Sequence, residues 1–558
     1  MLSARSLLGA AEIGVPIESP GATRALRSDR REAALLAGTT ALVAGLVLLV
    51  GPAPGDAPAH LYRTFLVQHG ILVWDNLWYA GTYPLASYSL LYYVPAALLG
   101  NLTVVLAAAV LSSVLFASLV RHQWGSSGRF ATRVFAILAA APAFTGLYSY
   151  TLGFAAMLGA LRALQARRAW LWPLLAALTL GFSPLAFAFL CLVVVSAVLV
   201  SRLSRRNVAI LCTLLILAGL ELAVLHVFPT GGVYTFHLVN LVGVLGVAVA
   251  GALVAARAPR GRAIAAFFVL WGAGSVVLYI VPTPLGDNWT RLGAFSFPIM
   301  LLAADLARYR PRPLVLTALA GSLAYTLVPF LLLIPYRLDN RPASAAFWQP
   351  ALQFLDRHAS PDYRVEVVPT AAHWEAYWLP RAGFAIARGW YRQLDVVENP
   401  LLYRSGLDAA EYRHWLRQRA VEYVVVPHTT LDPIGGPQEA TVVEAPDSGL
   451  QVVLRSASLT IYRLPHPTPL LTGAGHAGLT LLDHATIGGV VGEPGRYLLR
   501  VHYTPYWRPT GVACVAKARN DLTRLTFSRA GSFSLTVPQS VGELAEAVED
   551  GPPAGCHA

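Results

Sequence analysis

Long apolar runs alternate with short polar connectors through the first 336 residues, and the pattern then changes. Apolar segments fall at 33–50, 102–120, 134–147, 150–161, 169–180, 184–200, 208–227, 236–256, 264–281, 295–307 and 314–334. A membrane span needs about 20 apolar residues. Four segments fall well short of that, so the pattern predicts about eleven spans, give or take one or two, and 88–99 reads as a re-entrant or interfacial piece. From residue 337 the runs shorten. WQPALQFLDRH (348–358) reads as a helix, and YRVEVVP and VEYVVVP read as buried strands around a helical middle. LTLLD, RYLLRVHY, GVACVAK, RLTFS and FSLTV alternate with Gly/Pro turns, as in a small antiparallel β-sandwich. The expected fold is therefore an α-helical polytopic membrane protein with two C-terminal units outside the bilayer. Its parts are an N-terminal tail 1–32, a membrane domain 33–336 with a first outer loop 52–101, an α/β unit 337–465, a β-sandwich 466–545 and an acidic, loose tail 546–558.

Composition supports the membrane class. Of 558 residues 56% are hydrophobic and 13% charged, against about 25% charged in a soluble domain. The net charge of +12 could signal a nucleic-acid binder, but its distribution excludes one. Before Tyr336 there are 22 Arg against 9 Asp/Glu, and from Arg337 onward 20 Arg/Lys against 21 Asp/Glu. The excess lies in clusters between apolar runs, which is the positive-inside pattern. With Arg24, Arg27, Arg30 and Arg31 cytoplasmic, the clusters at 121/129/133, 162/167/168, 202/205/206, 257/260/262 and 308/310/312 fall on the same side. An odd number of spans then puts everything after Tyr336 outside the cytoplasm. The Arg bias, with Lys517 as the one lysine, suggests a GC-rich bacterial genome, and the expected location of such a multi-pass chain is the bacterial inner membrane. The first run is long for the h-region of a signal peptide, the competing reading. Cys191 and Cys212 read as thiols in apolar runs; Cys514 and Cys556 could pair outside the cytoplasm.

That topology singles out two arginines. Of the 22 before Tyr336, only Arg63 and Arg291 fall outside, each near an acid: Asp56 lies seven residues before Arg63, and Asp287 four before Arg291. A guanidinium at a membrane surface suits a phosphate; an ion pair with the neighbouring acid is the plainer role. Asp56 and His60 are four residues apart on the expected helix APAHLYRTFLVQHG and share a face. Asp56 could act as a general base toward a hydroxyl, hold a divalent cation with His60, or cap the helix. Trp78 and Tyr83 belong to a run of aromatics that suits either an interfacial belt or the face of a sugar. Glu221 is an acid inside an apolar run, hence a functional candidate or a snorkelling side chain. In the outer part, Trp390, Arg392, Gln393 and Asp395 form a polar-aromatic group that could bind a carbohydrate acceptor or rest on the membrane domain.

GDAPAHLYR, WYAGTYPLASYSLLYYVPAALLG, GDNWTRLGAFSFP and ARGWYRQLDVVENPLLY resemble bacterial membrane proteins of the pyruvoyl-tetrahydropterin-synthase-related type. More broadly, an outer acid after the first span, a long first outer loop and a C-terminal outer region resemble the GT-C glycosyltransferase superfamily. The pterin label does not fit the chemistry, because no His-x-His zinc pattern is present. The resemblance implies sugar transfer from a polyprenyl-phosphate-linked lipid donor to a cell-envelope glycan acceptor. It puts Asp56 at the catalytic acid position and Arg291 at a donor-phosphate contact, with Arg63 beside it. Many members pair two acids in the first loop; here Asp56 stands alone and Asp75 is far down the loop, which leaves a divalent cation and catalysis itself open. A transporter or flippase of lipid-linked glycans, and a non-catalytic glycan-binding scaffold, are the competing classes. The transporter needs polar groups along several spans, and only Glu221 and Asp305 lie in or beside apolar runs.

Overall fold

The computed structural model describes residues 20–84, 88–229, 232–258, 260–549 and 551. The first part is helical: α1 (Pro20–Val50), α2 (Ala57–Gln68), α3 (Tyr93–Leu99), α4 (Asn101–Trp124), α5 (Arg129–Leu138), α6 (Ala141–Thr145), α7 (Tyr148–Gln165), α8 (Leu171–Phe182), α9 (Pro184–Leu199), α10 (Arg205–Val227), α11 (Leu238–Ala256), α12 (Arg262–Ile280), α13 (Ser296–Leu306) and α14 (Arg312–Arg337). Every apolar segment read from the sequence is helical, with one broken in two. The run 134–147 splits into α5 and α6, because Pro142 opens a new helix and Gly146 (φ +86°) ends it. Among the described residues six helices are long and apolar enough to cross a membrane: α1, α4, α10, α11, α12 and α14. This is a multi-pass membrane protein. The segment 88–99 becomes α3, which buries Tyr93 and Ala96 and leaves Leu98 and Leu99 exposed.

The Arg-bearing connectors meet at one end of the bundle. Arg121 pairs with Asp29 (2.6 Å), Arg133 with Glu32 (2.9 Å), Trp124 Nε1 donates to the Arg260 carbonyl (3.3 Å), and Gly128 N–H donates to Asp305 (2.8 Å). Gln165 and Arg162 of α7 reach back to Leu119 and Ser118 of α4. The opposite end carries α2, α3 and the chain from 337 onward.

Beyond α14 the first sheet has the order β1-β2-β4-β3, from β1 (Arg364–Val367), β2 (Val421–Pro427), β3 (Gln451–Arg455) and β4 (Leu459–Arg463). β1 and β2 are parallel; β2–β4 and β4–β3 are antiparallel. β2 is buried at every position, which its near-continuous apolar run VEYVVVP requires. Eight strands follow: β5 (Leu471–Gly473), β6 (Ala477–Leu482), β7 (Thr486–Val491), β8 (Gly495–His502), β9 (Arg508–Thr510), β10 (Cys514–Lys517), β11 (Leu522–Phe527) and β12 (Gly531–Thr536). They form two antiparallel sheets, β10-β11-β8-β5 and β6-β7-β12-β9. The acidic stretch expected to be a loose tail begins as a helix, Val541–Glu549, whose Ala547 joins the sandwich core. Leu544 and Ala547 pack on the sandwich core, an apolar contact that acidity alone concealed. Residues 552–558 lie outside the described residues, and the pairing of Cys514 with Cys556 lies there with them, as do residues 1–19.

The loop 52–101, expected from sequence to lie outside, joins these parts. Tyr62, Trp78, Tyr79, Tyr92 and Tyr148 share one hydrophobic core with Phe347, Trp348, Val365, Tyr377 and Ile461 of the first outer unit. Val73, Trp74 and Tyr83 share another with Leu499, Trp507 and Leu535 of the sandwich. Asp75 is fully buried and accepts from the Tyr62 hydroxyl (2.8 Å) and the Leu77 N–H (3.2 Å), and it pairs with His484 of the sandwich at 2.8 Å. The loop is aromatic because it is the interior of two interfaces.

Candidate functional site

Asp56 stands just before α2, yet it does not cap it. Its backbone is right-handed helical (φ −88°, ψ −5°) and its side chain makes no bond to the helix N–H groups, whereas a capping residue has an extended backbone. The carboxylate instead meets Arg291, with Nη2 to Oδ2 at 3.4 Å across 235 residues of sequence. Both side chains keep some access, 17% for Asp56 and 26% for Arg291.

Two local features bring them together. The Asp56 N–H donates to the Thr145 carbonyl (3.2 Å), and Gly146 follows at φ +86°. A Cβ on Gly146 would sit 2.8–2.9 Å from the backbone nitrogens of Ala57 and Asp56, so the close approach requires glycine. Arg291 lies on a 3₁₀ helix, Gly286–Phe295. Its first residue has φ +34° and would place a Cβ 1.5 Å from the Tyr234 carbonyl oxygen. In a 3₁₀ helix residues three apart eclipse, not four, so Asp287 does not face Arg291. Asp287 binds His237 instead, through the His237 N–H at 3.1 Å and through the ring Nδ1. The pairing expected from sequence neighbours is therefore exchanged for one between two distant loops.

His60 and Arg63, on the same helix as Asp56's neighbours, are 1% and 0% exposed. His60 is enclosed by the rings of Tyr88 (5.2 Å), Tyr92 (5.6 Å), Tyr93 (5.9 Å) and Tyr148 (5.4 Å, stacked). Burial, then the charges of Arg63 and Arg291, push its pKa well below the usual value. The Arg63 guanidinium lies over Tyr391 at 4.6 Å, and over Tyr88 and Tyr93 at 5.7 and 5.8 Å. Tyr88 also hydrogen-bonds to Arg291. The outer unit closes the group from above: Trp390 Nε1 donates to the Gly55 carbonyl at 3.2 Å, next to Asp56.

Other sequence candidates go elsewhere. Trp78 is interior, stacked on Tyr62 (4.7 Å) with its N–H given to the Ala376 carbonyl, and Tyr83 bonds Thr504 within the sandwich core. Neither presents a face to a sugar; their packing against outer units could not be told from an interfacial belt by residue type. Asp395 is 4% exposed and bonded to Asn399, Tyr403 and Arg388, so it is a structural acid rather than an acceptor contact. Arg392 reaches Asp432 with two contacts of 2.7 Å. The Gln393 backbone packs on Gly232. Glu221 is half-buried on α10, which packs on α8 and α9, and takes no part in the Asp56 group. Tyr148, Tyr234 and Tyr391 were missed, since no spacing ties them to Asp56. As for a cation, no group of three or more His, Cys, Asp or Glu is gathered to hold a metal ion among the described residues. The Asp56–His60 neighbourhood offers rings and arginines rather than a ligand set, and no step below uses a metal.

Asp432 anchors a second charged cluster in the first outer unit. His373 contacts Glu375 (3.2 Å) and Asp432 (3.4 Å). Burial alone would lower the His373 pKa, but the bonds and charges of Asp432 and Glu375 outweigh it and raise it to about 9. The folded value exceeds the unfolded one of about 6.5. Its contribution is thus complete below about pH 6.5 and disappears as pH rises through about 9; it is on the order of 3 kcal/mol. The expected outcome is that wild type loses melting temperature between pH 6.5 and 9.5 and that His373→Gln loses much less over the same window.

No family model and no curated protein matches the chain. Among solved structures it is similar to the arabinofuranosyltransferase AftD from Mycobacteria, at 16% identity over 84% of this chain and 43% of that one, with a TM-score of 0.46. The chain thus spans less than half the length of that protein.

Proposed function

We propose that this chain is a membrane glycosyltransferase. It moves a sugar from a polyprenyl-phosphate-linked donor to a cell-envelope acceptor on the non-cytoplasmic face of a bacterial membrane. The observation that carries the reading is the Asp56–Arg291 pair: a partly accessible carboxylate and guanidinium from two loops, at the end of the bundle opposite the Arg-rich connectors, under an outer unit.

The pair supplies both halves of a single displacement. Asp56 takes the proton from the acceptor hydroxyl. That oxygen bonds to the anomeric carbon as the bond from that carbon to the phosphate oxygen breaks, and the electron pair leaves with the polyprenyl phosphate. Arg291 meets the growing phosphate charge, and the buried Arg63 adds its field. One displacement inverts the anomeric centre. In the resting protein Arg291 is paired with Asp56 and holds the carboxylate beside the place where the phosphate would lie. His60 is held neutral with its pKa well below the usual value, which makes it a weak base, so it does not compete for that role.

The test is transfer of labelled sugar from a panel of polyprenyl-phosphate sugars in membranes. Arg291→Lys keeps the charge and loses the planar fork. It is expected to cut kcat/KM by about tenfold to a hundredfold, with the donor KM rising. Wild-type kcat and donor KM in Arg291→Lys would count against the phosphate contact.

A further inference from the structure

Nε2 of His60 and the hydroxyl of Tyr391 are buried polar atoms of this site with no hydrogen-bond partner among the described residues. The residues are 1% and 4% exposed. A buried polar atom without a partner carries its full desolvation cost and calls for an explanation.

The neighbours define what the His60 atom is. Arg63 Nη1 donates to the Tyr93 hydroxyl oxygen at 3.4 Å. Arginine has no acceptor, and the arrangement that uses the Tyr93 O–H proton gives it to Nδ1 of His60, 3.2 Å away. A neutral imidazole that accepts at Nδ1 carries its proton at Nε2. The aromatic group around His60 therefore holds an N–H donor with nothing to donate to, one helical turn beyond Asp56.

Tyr391 enters from the outer unit. Its ring covers Arg63 at 4.6 Å, and the Tyr79 hydroxyl fixes its backbone carbonyl at 2.9 Å. His60 and Tyr391 flank one ring, that of Tyr88, at 5.2 and 6.1 Å. Hydrogen-bonding groups set among aromatic rings match a sugar, whose oxygens take the bonds and whose C–H faces pack on the rings. A bare phosphate would use the arginines and leave the rings unused.

We infer that His60 Nε2–H and the Tyr391 hydroxyl bind oxygens of the donor's sugar ring and so select which sugar is transferred. This rests on the glycosyltransferase reading above. It makes His60 a specificity residue rather than a base or a metal ligand, and it makes the outer unit part of donor selection.

The experiment uses the full chain in membranes, the polyprenyl-phosphate sugar that wild type transfers best, and its single-deoxy analogues. His60→Leu and Tyr391→Phe are each expected to lower kcat/KM for the parent sugar by about 10- to 100-fold. For the one analogue that lacks the matching hydroxyl, variant and wild type should transfer equally. His60→Gln, whose amide can donate, should recover part of the loss. His60→Leu also removes the contact of Nδ1 with the Tyr93 hydroxyl, so transfer is compared at equal amounts of folded protein, judged by thermal melting. Transfer of the parent sugar by His60→Leu and Tyr391→Phe at the wild-type rate would overturn the inference alone. So would variants that lose the same factor on every analogue. No transfer by wild type from any donor would overturn the glycosyltransferase reading, and this inference with it.

Discussion

Asp56→Asn is expected to abolish sugar transfer while leaving the protein folded. The amide keeps the shape and loses the capacity to take a proton. A positioned general base contributes about 10²- to 10⁴-fold, so residual turnover should fall into that range or below detection. The structural cost is small. Asp56 caps nothing, and its ion pair with Arg291 is long and partly open to water. Such pairs are worth about 1 kcal/mol or less, so the melting temperature should move by no more than a few degrees. Transfer and thermal melting, measured on the same preparation, check both parts. A variant that melts normally and still transfers would remove Asp56 from the chemistry.

Arg388→Ala should cause the largest loss of stability. Arg388 is 7% exposed and reaches Glu366 (2.8 Å), Glu439 (2.8 Å) and Asp395 (3.4 Å). Tyr412 and Tyr403 add hydroxyls to the same carboxylates. Burial already raises the pKa of Glu366. Without the guanidinium, three acids would face one another in the interior. Breaking a buried pair by removing one partner costs about 3–5 kcal/mol, and here several pairs go at once. The expected result is a melting temperature well below wild type in detergent, with protease cleavage inside 364–444. The loss should shrink at low pH, where the carboxyls take up protons. A variant that melts like wild type would mean the cluster is already neutral. The same segment holds Trp390 and Tyr391, so transfer should fall with the fold.

The sequence revealed what periodicity and charge bias encode. Each apolar segment became a helix because spans are set by local composition, and β2 followed from its unbroken apolar run. Asp56 and Arg291 stood out because one is an acid placed directly after a span and the other an arginine on the wrong side of a strong bias. Their partnership was not legible: the pattern offered Asp287 as a neighbour, and only the 3₁₀ geometry turns that acid toward His237. Aromatic residues misled for a related reason. Trp78 and Tyr83 look the same whether they face lipid, sugar or another part of the protein, and here they fill cores shared with the outer units. Arg388, Glu366 and Glu439 are spread over 74 positions and left no local signature. Tyr391 lay inside a conspicuous stretch, yet its place over Arg63 depends on how the outer unit docks.

The central claim is that Asp56 and Arg291 form a sugar-transfer site. Its most direct test uses the purified chain in lipid nanodiscs with a panel of polyprenyl-phosphate sugars and envelope glycan as acceptor. Released polyprenyl phosphate and glycosylated acceptor are quantified together, for wild type and Asp56→Asn. The account predicts that at least one donor yields both products one to one with wild type and neither with the variant. Equal yields from wild type and Asp56→Asn, or no product from any donor while Asp56→Asn rescues a deletion strain, would contradict it.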